Sequence, residues 1–220
     1  GYKKTSDKKT GGSRNHIFAR SDIDLDLETF DESKLSINFQ KTSNDTYLKV
    51  HDINSKIMKS STVMNSSIAM NFSKNNSDLD INMDVYENLS KKDERYEFVV
   101  PNYDYKNKLS ISEELGMLNF QSRGFYKNFE TNKKQTKLVN DFHWNSNDYI
   151  NNSGIITKVE GNLKNLNYRA ENASDHKNDK NNIELMGAVS LLSSLPLEKQ
   201  SDNYTKTLTP KMMWRAAPGH

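Results

Sequence analysis

Asp22-x-Asp24-x-Asp26 is the set of residues whose types and spacing come nearest to a metal site. Carboxylates at that spacing open the calcium loop of a helix–loop–helix site. That loop also needs glycine at its sixth position and a bidentate glutamate at its twelfth. Counted from Asp22, those positions hold Leu27 and Ser33. The calcium chemistry therefore fails, and an acidic stripe along one face of an extended segment is the better reading. His16, His51, His143, His176 and His220 show no ligand spacing. The chain has no cysteine, so it has no thiolate site, no disulfide framework and no redox clue to compartment. No Gly-x-Ser-x-Gly, phosphate-binding loop or dinucleotide fingerprint occurs. Serine and aspartate are too frequent for spacing to pick out a Ser/His/Asp set. The expectation is a protein that is not an enzyme and holds no metal or cofactor.

The segment around those aspartates is more informative than the aspartates themselves. In Ser21-Asp22-Ile23-Asp24-Leu25-Asp26-Leu27-Glu28, polar and aliphatic residues alternate. A period of two is the geometry of a strand, whose successive side chains leave opposite faces. The beat returns in Leu35/Ile37/Phe39, in Met64/Ile68/Met70/Phe72 and in Leu79/Ile81/Met83/Val85. Extended segments are expected over 14–29, 33–42, 61–74, 77–89, 94–107, 114–129, 133–146, 154–172, 182–198 and 204–217. Polar turns such as 74–77, 88–93, 145–148 and 174–180 separate them. Such short connections pair consecutive strands antiparallel. Residues 1–13 read as a loop or linker. Over 43–60 the alternation lapses, and Thr46-Tyr47-Leu48 suits a short helical turn.

Composition narrows what the sheet can be. Only 34% of the 220 residues are hydrophobic, and mean hydropathy is −0.90. That is thin for a filled core but adequate for strands that are apolar on one face only. No run approaches the roughly 20 apolar residues of a membrane helix, whereas a membrane strand needs only about 9–11. The segments exceed the usual 5–6 or so residues of a soluble strand. Aromatics gather near their ends, at Tyr86, Tyr96, Tyr103, Tyr105, Phe129, Trp144, Tyr149 and Trp214. Rims of a membrane barrel carry such girdles, but aromatics are also good strand residues anywhere. A membrane barrel and a soluble β-sheet both stay open on these facts. The 31 basic and 29 acidic residues are interleaved, with no basic block studded with aromatics, so no nucleic-acid partner is expected. The Gly-Tyr-Lys-Lys start and Ala-Pro-Gly-His end read as those of an internal fragment.

Three ordered patterns carry a resemblance. They are Ser43-Asn44-Asp45-Thr46-Tyr47-Leu48; Tyr96-Glu97-Phe98-Val99-Val100-Pro101-Asn102-Tyr103; and the tail Leu195-Pro196-Leu197, Thr207-Leu208-Thr209-Pro210-Lys211-Met212 and Arg215-Ala216-Ala217-Pro218-Gly219-His220. Together, from about residue 16 to the end, they resemble LptD, the outer-membrane lipopolysaccharide assembly (organic-solvent-tolerance) family. The tail is similar to alphaproteobacterial versions.

The resemblance implies an all-β fold, an antiparallel up-and-down transmembrane β-barrel. Residues 14–220 would supply about ten of its middle strands. It implies residence in the outer membrane of a Gram-negative bacterium, where the barrel inserts lipopolysaccharide into the outer leaflet. The implied partners are lipopolysaccharide, a plug lipoprotein and periplasmic bridge proteins. Asp22, Asp24, Asp26, Asp80 and Asp84 would face a wet lumen. Ile23, Leu25, Leu27, Leu79, Ile81, Met83 and Val85 would face lipid. The competing readings are another outer-membrane barrel, such as a porin or receptor, and a soluble extracellular sheet that binds glycans or adheres. The soluble sheet would pack its apolar faces on each other in two layers.

Overall fold

A computed structural model of the chain describes residues 14–112, 115–173 and 181–218. The linker expected over 1–13 and the turn expected over 174–180 lie outside them. In chain order the elements are β1 (His16–Asp24), β2 (Glu32–Thr42), α1 (Tyr47–Val50), β3 (Val63–Lys74), β4 (Ser77–Asn88), β5 (Tyr96–Ser112) and β6 (Gly116–Phe129). They continue with β7 (Lys133–Asn145), β8 (Tyr149–Ile150), β9 (Ile156–Glu171), β10 (Asn182–Ser194), β11 (Leu197–Ser201), β12 (Tyr204–Leu208) and β13 (Lys211–Ala216). All the strands but the β11–β12 hairpin join one antiparallel sheet of eleven strands, ordered β1-β2-β3-β4-β5-β6-β7-β9-β10-β13, with the short β8 paired to β9. The sheet is not closed, since β1 and β13 each have one neighbour in that order.

The sheet is a single layer. Every substantial contact between described strands runs between ladder neighbours. Large apolar residues such as Ile37, Phe39, Ile68, Leu163 and Val189 remain exposed. The two-layer packing of a soluble sandwich is absent among the described residues. No described helix is long and apolar enough to cross a membrane, which says nothing about strands.

Strand ends depart from the alternation where local hydrogen bonds compete with it. The polar/apolar beat continues to Glu28, but β1 stops at Asp24. Asp26 takes φ 47°, and the Leu27 N–H donates to the Ser33 hydroxyl at 3.1 Å. Leu25, Asp26 and Leu27 therefore lie in the turn to β2 and do not extend the strand. At the other end of the chain, single strands were expected over 182–198 and 204–217. Each is broken at a proline, which has no N–H for a ladder. Pro196 falls between β10 and β11, and Pro210 falls between β12 and β13. The Leu195 N–H donates to the Pro210 carbonyl at 3.1 Å, so β11 and β12 leave the sheet as a separate arm. Pro101 sits in a bulge, where β5 spends one extra residue between Val99 and Asn102 against both neighbours.

Gly116 opens β6 at φ +83°, and a Cβ there would run into the Asn145 carbonyl oxygen. Gly116→Ala is expected to cost at least about 1–3 kcal/mol from the backbone conformation alone. Urea unfolding of the full-length protein measures this loss.

An apolar belt opposite a charged face

The ladder register sorts the side chains into two faces, because directly paired residues point the same way. One row runs Ile23–Leu35–Met70–Ile81–Tyr103–Gly124–Leu138–Asn167–Ile183. It crosses nine strands and is apolar until β9. Leu79, Met83 and Val85 share its face. So do Phe72, Ile68, Phe98, Phe120, Phe142, Trp144, Leu163 and Leu191 on neighbouring strands. Gly124 is required here by a close approach. A Cβ on it would stand 2.9 Å from the Tyr103 ring and 3.0 Å from the Lys137 carbonyl. The ring crosses β6 and its hydroxyl meets the Ser122 hydroxyl at 3.1 Å.

This belt is oblique to the strands. On β4 it spans Leu79 to Val85. Val85 pairs in turn through Phe98, Asn128 and Lys134 to Glu171, so the same row is charged by β9. On β9 the apolar stretch lies instead at Val159–Leu163, towards the 146–155 connection. A level apolar slab cut across tilted strands would give a drift of this kind. Its slope matches the tilt of about 45° that membrane strands adopt.

The opposite face is polar and cross-linked by side chains. Arg20 Nε and the Ser36 hydroxyl donate to Asp22 at 2.9 and 2.7 Å. Asn71 donates to Asp80 at 2.7 Å, and Gln121 donates to Asp104 at 2.8 Å. Asp141 bridges Arg123 and Lys164, each at 3.2 Å, across β6, β7 and β9. Asp22, Asp24, Asp80 and Asp84 all project on this side, as does His143, which bonds Asn162. Val139 and Leu166, paired with each other, interrupt it. Among the described residues no group of three His, Asp or Glu could hold a metal ion.

Spacing gave no sign of a third feature. The β2–β3 ladder stops at Asn38/Ser67 although both strands continue. Gln40, buried, replaces the missing bonds: its amide donates to the Ile57 carbonyl at 3.0 Å and accepts from the Asn65 N–H at 3.2 Å. The 43–62 insert fills this split. Leu48 from α1 packs on Met64 and Leu89, each of the first two 1% exposed, flanked by Phe18, Tyr47, Ile53 and Met58. Beside it the buried Glu87 carboxylate takes Lys41 and Arg95, each at 2.8 Å, and the Tyr96 hydroxyl at 2.9 Å. Arg95 also grips Asp45 of the insert at 2.7 Å. The only signals in the sequence were the lapse in alternation and the off-pattern Lys41 and Glu87 on an otherwise apolar face.

At the same end, Glu130 in the β6–β7 turn bonds Lys133 at 2.7 Å and Lys91 of the 89–95 loop at 3.1 Å. Hydrogen bonds from Lys133 and then Lys91 hold its carboxyl below the ordinary carboxylate range. A lowered folded-state value gives stability that is full above the unfolded value, about 4.3, and is lost as pH falls through the folded one. Amide exchange in the 89–95 loop, corrected for its intrinsic pH dependence, should quicken below about pH 4. Glu130→Gln should abolish that pH dependence.

No curated protein matches the chain. A family model does: LptD, LPS transport system D, aligns with residues 15–220, nearly the whole chain. That family is one of transport proteins and not of enzymes, and the open antiparallel meander is consistent with part of its barrel. The chain therefore belongs to the LptD family, with the lipopolysaccharide transport and assembly role that membership implies.

Proposed function

We propose that this sheet is a stretch of outer-membrane barrel wall in the translocon that inserts lipopolysaccharide into the outer leaflet of a Gram-negative bacterium. The observation that carries the reading is the oblique apolar belt set against a charged, hydrogen-bonded face. A charge-lined lumen passes a sugar-rich, phosphorylated head, while acyl chains keep to apolar surface. In this reading Asp22, Asp24, Asp80 and Asp84 line the lumen, and Ile23, Leu79, Ile81, Met83 and Val85 meet lipid. Leu25, Asp26 and Leu27 stand at the rim, where the chain turns between β1 and β2. The wall catalyses nothing. Transport energy comes from elsewhere in the pathway, through periplasmic bridge proteins, and a plug lipoprotein occupies the lumen.

The test uses the full-length protein. It should fractionate with outer membrane, show heat-modifiable gel mobility and co-purify with a lipoprotein. Its depletion should stop newly made lipopolysaccharide from reaching the surface. Ion conductance or solute uptake without that lipoprotein, with surface lipopolysaccharide unchanged, would favour a porin or receptor and sink the proposal.

A further inference from the structure

A recess of about 550 Å³ lies in the apolar belt, lined from β7, β9, β10 and the end of β13. Its floor is Gly161 and Gly187. Trp144 pairs with Gly161, Gly161 with Val189 and Leu163 with Gly187. The two glycines thus lie on one diagonal of a four-residue square, and Leu163 and Val189 lie on the other. The result is a channel one side chain deep, running between Leu163 and Val189. Trp144 walls it, its indole N–H anchored on the Leu115 carbonyl at 2.8 Å.

The channel has a direction. From β9 to β10 the glycine diagonal drops two residues, about 7 Å, for one strand spacing of about 4.8 Å. It drops away from the 146–155 end. The belt drifts the opposite way, towards that end, from β4 to β10. The diagonal stands about 35° from the strands on one side and the belt crosses them obliquely on the other, so the two lines meet at a steep angle. If the belt is level in the membrane, the channel runs close to the membrane normal.

We infer that this channel binds one acyl chain of a surrounding phospholipid, lying upright against the wall. The inference rests on the proposed lipid exposure of the belt. No charged residue lines the recess, so the chain is recognised and the headgroup is not. A glycine floor lets a straight hydrocarbon sit where side chains elsewhere on the belt would hold it off.

Full-length protein in nanodiscs of phosphatidylethanolamine, doped with an analogue carrying a diazirine in its acyl chain, tests this. Photo-adducts should concentrate on 161–163 and 187–189 over Ile68 and Ile81, which share the belt. Phosphatidylglycerol should give the same map. A Cβ at Gly187 finds its nearest neighbours at 3.7 Å, so Gly187→Val should keep the heat-modifiable mobility while local labelling falls several-fold. Even labelling along the belt, no change in Gly187→Val, or labelling by lipopolysaccharide alone overturns the inference. Adducts on the Asp80–Asp104 side overturn the lipid exposure of the belt itself, and with it the proposed function, so the two failures are separable.

Discussion

Ile81→Arg should block outer-membrane assembly of the full-length protein, whereas Asp80→Arg should leave most of it in place. The two positions are adjacent in β4, yet they leave opposite faces of the sheet. Ile81 sits in the row flanked by Met70 and Tyr103, in the body of the belt. With the belt facing lipid as proposed, a guanidinium there sits in hydrocarbon or drags water to itself, at about 2–4 kcal/mol near the bilayer midplane. Asp80 lies across from Asn71 and Asp104 on the polar face. Replacing it breaks the 2.7 Å bond from Asn71 but keeps the new charge wet and beside Asp104. That change costs no more than about 1 kcal/mol, as for an exposed polar contact. The measurement is the fraction of each variant that reaches heat-modifiable, detergent-extracted outer membrane. Equal tolerance would mean that the belt does not meet lipid.

Leu48→Ala is the second large effect, and it should be local. Leu48 is 1% exposed against Met64 and Leu89, and truncating such a side chain costs about 2–5 kcal/mol. Elsewhere the sheet is held by ladders, and among the described residues it has no comparable cluster to lose. The 43–62 insert should therefore loosen while the strands stay paired. Limited proteolysis of membrane-embedded protein should show rapid cleavage within 43–62 and little elsewhere. Val50→Ala, on the same short helix but 64% exposed, should stay within about 0.5 kcal/mol of the parent. Global unfolding in Leu48→Ala would show that the insert holds the wall together and is more than a filler of its split.

What was legible in the chain was whatever repeats every two residues. Leu79, Ile81, Met83 and Val85 announce a strand with one apolar face, and the structure places them on β4 with that face in common. Periodicity fails where a side chain or a proline redirects the backbone without changing the pattern. Leu25 and Leu27 continue the beat of Ile23, but Ser33 captures the Leu27 N–H and turns the chain. The β5 bulge shows the same limit. Tyr96 and Phe98 share a face with Tyr103 and Tyr105 although their numbers have opposite parity, because the extra residue between Val99 and Asn102 shifts the count. The split and its core leave no periodic trace for another reason. Leu48, Met64 and Leu89 are far apart in sequence, and nothing local marks them as neighbours. The obliquity of the belt was invisible too, since it exists only once register relates one strand to the next.

The order of the sheet also bears on how the wall can be made. Nearly every ladder joins strands that follow one another in the chain, and β13 reaches β10 across a single excursion. Apart from β2–β3, which close around the 43–62 insert, and β10–β13, which close around the β11–β12 arm, most pairings span little more than a turn or short loop, so their entropic cost stays small and local. Growth can then proceed hairpin by hairpin along most of the sheet. At every stage, however, the last strand offers a row of unpaired N–H and C=O groups, as β1 and β13 do here, and such an edge accepts wrong strands as readily as right ones. Whatever escorts this chain to its membrane must therefore guard a moving edge.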